Sequence, residues 1–263
     1  MHIQSYNSTS FGVNLNSPKL RYSRNDFYVP IRGYGKNGEW ADKIISTADL
    51  AVSLFRRNTA IENVLKLITK GVRDANGLVL DLFKRENTGL LRTKRDGWKS
   101  EENEAYTPYA KGRYSAYKDR LNQTCLYPLG EIPAGVGISE PVGFMEIHHG
   151  ASSKINSSLN RVFEVGSRIF PRFINEEVKE ENLDEVNSNI AEIRWILAHS
   201  TPWMRGSDAI SNVLMRAMYK AIGVKTYPLE KGISLDLEAY CTELSDYKKY
   251  FPSYFENPPE IAE

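Results

Sequence analysis

The sequence predicts a mainly α fold of the α+β class, a helical core carrying a small β-containing lobe. Three observations predict it. Apolar residues recur at three- and four-residue steps over most of the chain. Short apolar runs broken by Pro and Gly are confined to residues 126–147. The 263 residues are 41% hydrophobic and 25% charged, enough apolar material for a sizeable core.

From Trp40 to about Lys70 the pattern is helical: Ile44, Ala48, Ala51, Val52 and Phe55 share one face, Ile61, Val64, Leu65 and Ile68 another, and Asn58-Thr59 separates them. A turn signal at Asn76-Gly77 leads into DANGLVLDLFKREN, whose apolar cluster is read as helix. Residues 92–120 are polar and tyrosine-rich, the mark of an exposed loop, with a short helix near Tyr114 to Leu121. Pro128, Gly130, Pro133, Gly135, Gly137 and Pro141 then punctuate short strands. Helix resumes from about Ser157 to Phe170, with Pro171 near a break and the acidic EEVKEENLDE as a solvated linker. Residues 1–28 are rich in Ser and Asn, a flexible leader compatible with a secretion signal or with a plain loose terminus. Residues 29–263 are read as a single domain, with the lobe at about 76–150.

Charge and composition exclude several classes. With 34 basic and 33 acidic residues the net charge is +1, so no overall field favours a nucleic-acid partner. No apolar run approaches the roughly 20 residues of a transmembrane segment, and the start lacks signal-peptide order. Cys125 and Cys241 are far apart and lack metal-ligand spacing, so neither a disulfide framework nor a metal is expected.

The stretch NSNIAEIRWILAHSTPWMRGSDAISNVLMRAMYKAIGVKTYP carries the chemistry. It reads as a helix capped by Asn187 or Ser188 and stopped by Pro202, then a second helix with Ser207 as N-cap and Gly223 as C-cap. The turn between them, with Arg205, Gly206 and Ser207, has the parts of an anion site. Amides are free at a helix start, glycine allows close approach, and a guanidinium grips phosphate in two-pronged fashion. The bland alternative leaves Arg205 paired to an acidic neighbour and Ser207 as a cap. Asp236, behind Ser234, equally suits the first turn of a further helix.

The segment IAEIRWILAHSTPWMRGSDAISNVLMRAMYKAIGV, with GISLDLEAYCTELSDYKKYF after it, resembles the C-terminal core of the AvrB family of avirulence effectors, divergent relatives of Fic domains. AYTPYAKGRY is similar to the family's Thr-Pro-x-x-Lys segment, and HHGASSKINSSLNRVF to a stretch with a histidine ahead of a helix. The resemblance implies a Fido-like helical core and a nucleotide cleft. It makes Asp236, His149 and Arg205 the catalytic positions, and Thr107, Lys111, Arg205, Gly206 and Ser207 the ligand-binding ones. It also implies a secreted bacterial effector, a monomer, that moves a rhamnose-like sugar from a nucleotide diphosphate sugar to a hydroxyl of a host protein substrate, without a metal. Asp236 would then take the acceptor proton or hold donor hydroxyls, His149 orient the donor, and Thr107 bind phosphate or hydroxyl. The residues alone also allow Thr107 to start a turn, Lys111 to be solvated and His149 to be idle.

The chain departs from the family pattern in three places. His2 stands where a myristoylation signal needs glycine. The stretch from Thr107 to His149 is shorter than the family's. His199 is followed by Ser-Thr-Pro-Trp rather than the Fic His-x-Phe-x-x-Gly-Asn pattern, which disfavours AMP transfer from an ATP-like nucleotide. That chemistry, and a non-enzymatic adaptor binding nucleotide and host protein, are the alternatives.

Overall fold

The computed structural model describes residues 20–30, 36–78, 87–91, 125–128, 140–142, 145–148 and 154–262. Within them the apolar spacing closes as expected into α1 (Gly38–Arg56) and α2 (Ile61–Asn76), joined at Arg57-Asn58, where Asn58 takes a positive φ of 56°. The Asn37 side chain accepts from the Trp40 amide and starts α1, and Gly77 follows the last turn of α2. Ile44, Ala48, Ala51, Val52 and Phe55 of α1 meet Val64, Leu65, Ile68 and Val72 of α2 in one apolar cluster.

Three short strands follow: β1 (Cys125–Pro128), β2 (Glu140–Val142) and β3 (Met145–His148). They form an antiparallel sheet with β3 in the middle, so the lobe's β content falls where the Pro and Gly spacing put it. Helix returns as α3 (Ile155–Gly166) and the short α4 (Arg172–Asn175), ending four residues before the expected Phe170. The expected helices over 79–86 and near Tyr114 to Leu121, and the loop over 92–120, lie outside the described residues.

α5 (Glu180–Ser200) and α6 (Ser207–Ala221) form the centre. α5 begins seven residues earlier than Asn187 and takes in half of the acidic stretch expected as linker. The reason is electrostatic: Glu180 and Glu181 sit in its first turn, where carboxylates oppose the positive end of the helix dipole. Asn187 is instead buried and accepts from the Tyr219 hydroxyl at 2.7 Å. From Ser211 to Ala221 every residue of α6 is buried, Arg216 and Lys220 included, as befits a helix enclosed on all sides by α1, α2 and α5. Its C-cap is Ile222, and Gly223 follows with the positive φ of 80° that a helix stop favours.

The chain closes with β4 (Val224–Lys225), α7 (Leu235–Cys241), α8 (Leu244–Tyr250) and β5 (Glu260–Ile261), β5 pairing antiparallel with β4 in a sheet the spacing did not suggest. α7 and α8 pack on α5, and β1 lies alongside α7. At the other end, Arg24–Phe27 form a 3-10 turn with Leu20, Asp26 and Phe27 buried.

Candidate functional site

The turn between α5 and α6 is held by backbone rather than by side chains. Thr201 ends α5 in the left-handed region, φ 38°, and its hydroxyl donates to the Ala198 carbonyl at 3.0 Å. Trp203 and Arg205 then form bridges with Leu91 and Thr88, in which the Met204 amide donates to the Leu90 carbonyl at 2.8 Å and the Gly89 amide to the Arg205 carbonyl at 3.1 Å. A strap of residues 88–91 therefore pins the turn to the point where the chain sets out towards the β lobe.

Gly206 stands in the N-cap position of α6 with φ 84°, and a Cβ there would lie 3.0 Å from Thr88 Cγ2. Only glycine takes that place without strain. Ser207, expected as the N-cap, is instead the first helical residue and is buried; its hydroxyl donates to the Trp203 carbonyl at 3.2 Å and accepts from the Trp203 amide at 3.3 Å. The hydroxyl is engaged within the turn itself, and the N-cap of α6 is Gly206 rather than Ser207.

Arg205 is exposed, and no side-chain partner for it is found among the described residues. It is not locked to an acidic neighbour, and neither is it buried in a preformed grip. The buried guanidinium of this region belongs to a residue the sequence did not single out. Arg194, on the inner face of α5 with its side chain 1% exposed, donates through Nη2 both to Asp208 Oδ1 at 2.8 Å and to Asp236 Oδ1 at 3.0 Å. Asp208 lies in the first turn of α6 and Asp236 in the first turn of α7, opened by Ser234 as expected. One arginine thus gathers carboxylates from two helix starts. A buried arginine needs a buried counter-charge, and here two carboxylates from distant parts of the sequence supply it.

Burial pushes the Asp236 carboxyl up to about 7, with the Asp208 charge acting in the same direction and Arg194 against it. For Arg194 burial opposes the charge, but Asp236 and Asp208 outweigh it and hold the guanidinium proton more tightly than usual. Its Nε and Nη1 have no hydrogen-bond partner among the described residues.

His199 is fully buried and packed against Trp195 with ring centres 3.9 Å apart and the rings tilted by 45°, and its Nε2 donates to the Ala239 carbonyl at 2.9 Å. It serves the α5–α7 contact. Thr107, Lys111 and His149 lie outside the described residues. Among the expected site residues, Arg205, Gly206 and Ser207 therefore share the start of α6, and Asp236 joins that start through Arg194 and Asp208. Trp203 also lines a cavity of about 690 Å³ between α2 and α3, with Leu65, Lys70, Asn160 and Phe163, which neither Arg205 nor Asp236 lines.

Residues 146–258, somewhat under half of the chain, match the AvrB_AvrC family model, described as avirulence protein. That stretch holds most of β3, α3 to α8 and every member of the Arg194, Asp208 and Asp236 cluster, together with the Arg205-Gly206-Ser207 turn. The resemblance read from the C-terminal motifs is borne out over those residues. No curated protein matches the chain. Among the described residues no helix is long and apolar enough to cross a membrane, and no cluster of His, Cys, Asp or Glu has metal-binding geometry.

Proposed function

We propose that this avirulence-family chain transfers a sugar from a nucleotide diphosphate donor to a hydroxyl of a host protein, with Asp236 as the base and the start of α6 as the diphosphate holder. The observation that carries this reading is the Asp236 carboxyl, mostly buried and brought by its surroundings to about 7. A base serves best when its proton affinity lies near the working pH, and a carboxyl in the ordinary range does not meet that condition.

The step balances without a metal. The acceptor hydroxyl gives its proton to Asp236 as its oxygen bonds the anomeric carbon, and the bond from that carbon to the diphosphate oxygen breaks. The diphosphate departs with the electron pair. Arg205, exposed and without a side-chain partner among the described residues, supplies the charge that receives it, with the amides of the first turn of α6.

The test is intact-mass analysis of host extract incubated with the protein and dTDP-, UDP- or GDP-sugars. A sugar-sized increment that vanishes in Asp236→Asn supports the reading; an increment that survives that change overturns the assignment of the base. A second reading, a non-enzymatic adaptor, draws on the exposed Leu90, Leu91 and Met204 around Arg205, an apolar border suited to a protein partner. Binding of host protein by calorimetry with no turnover of any donor separates the two.

A further inference from the structure

Asp208 and Asp236 come from different helices, yet each places an oxygen on the same nitrogen of Arg194, at 2.8 and 3.0 Å. Two carboxylates gathered on one nitrogen repel each other, and a single guanidinium neutralises only one of the two charges, which favours holding a proton on the pair. Exposure is graded along the cluster: the side chain of Arg194 is 1% exposed, that of Asp236 15% and that of Asp208 38%. Asp236 is the less exposed member of the pair and Asp208 the more exposed one.

We propose that Asp208 is the proton exit of Asp236: the pair shares one proton, Arg194 is the positioning residue that keeps both oxygens on one nitrogen, and Asp208 passes the proton to solvent. A proton arriving on Asp236 moves to the Asp208 carboxylate and then to water, which leaves Asp236 ionised as before, with atoms and charge conserved. The employment of this relay in sugar transfer rests on the reading given above, whereas the shared proton does not. Among the described residues, the other titratable groups near Asp236 are two neutral phenols. Tyr240 of α7 and Tyr247 of α8 are buried, their phenols are pushed up by burial, and the Tyr247 hydroxyl is occupied with the Leu235 carbonyl at 3.2 Å.

The pair is tested on the intact protein by carbon NMR of labelled aspartate carboxyls, which needs neither donor nor acceptor. In the native chain the Asp236 carboxyl titrates near neutrality. Asp208→Asn removes the neighbouring negative charge and moves that midpoint down by at least about one unit, a tenfold change in protonation ratio. Arg194→Gln removes the positive charge and moves it up, and Asp208→Glu, which restores a carboxylate, returns it towards the native value. Opposite signs for the two charge removals show that both neighbours act on the Asp236 proton, and a proton shared within the pair additionally makes the native Asp236 signal titrate in two steps that merge into one in Asp208→Asn. An Asp236 midpoint indifferent to Asp208→Asn in folded protein overturns the proposal. If the midpoints move as stated while no donor sugar is ever transferred, the proton pair stands and the transfer reading alone falls.

Discussion

Arg216, midway along α6, donates through Nη1 to Asp26 Oδ1 at 3.3 Å across 190 positions of sequence. The same nitrogen reaches Thr226 Oγ1 and the Tyr227 carbonyl, both at 3.0 Å, so one buried cation ties the first ordered turn and the start of the C-terminal segment to the central helix. Breaking a buried pair strands a charge in the core, at a cost of about 3–5 kcal/mol. Asp26→Ala is therefore expected to lower the free energy of unfolding by an amount in that range, read from urea denaturation, while the double change Asp26→Asn with Arg216→Met recovers a substantial part. An Asp26→Ala protein as stable as the native one would show that the pair contributes nothing.

Gly206 offers a sharper local test. Its φ of 84° and the nearness of Thr88 mean that Gly206→Ala meets both backbone strain and a side-chain contact. A cost of about 1–2 kcal/mol follows from the left-handed backbone alone. Thermal denaturation should register it, and Thr88→Ser combined with it, which removes the methyl, should return only the steric part.

For activity, Asp236→Asn is expected to lower kcat by about 10²–10⁴, the range for loss of a general base. Circular dichroism of the variant should match the native trace, because asparagine keeps an acceptor for Arg194. Arg205→Ala should instead raise KM for the donor together with a fall in kcat, read from initial rates against donor concentration.

Stability should also carry the mark of Asp236. The folded protein binds this proton more tightly than the unfolded chain, so its contribution favours folding below the ordinary aspartate range and is lost as pH climbs towards about 7. The native protein is expected to lose more stability between pH near 4 and pH near 7 than Asp236→Asn does, as followed by denaturant midpoints. Parallel curves for the two would contradict the raised proton affinity.

Much of the helical core could be read from spacing alone, because Ile44, Ala48, Val52 and Phe55, or Ile210, Val213, Leu214 and Ala217, repeat at the period that a buried helix face requires. The start of α5 could not, since the charged and polar residues that surround Leu183 between Glu180 and Glu185 resemble a solvated linker until the helix behind them is known. The β4–β5 pairing was hidden for a different reason: two-residue strands whose partners stand far apart in sequence leave no alternation to detect. At the site, Arg205-Gly206-Ser207 advertised itself through composition, whereas Arg194 did not, as its meaning depends on Asp208 and Asp236 arriving from elsewhere in the chain. Ser207 was misjudged because a hydroxyl one residue beyond a left-handed glycine turns back on the preceding turn rather than out over the helix end.

The strap at residues 88–91 has a mechanical corollary. Leu91 is stitched to Trp203, and Gly89 to Arg205 two residues further along, so the segment that departs for the sheet and the segment that bears the exposed guanidinium move as a single lever. A partner that pulled on the chain at Leu90 would tug the cation with it, giving events outside the core a handle on the spot where an anion would rest.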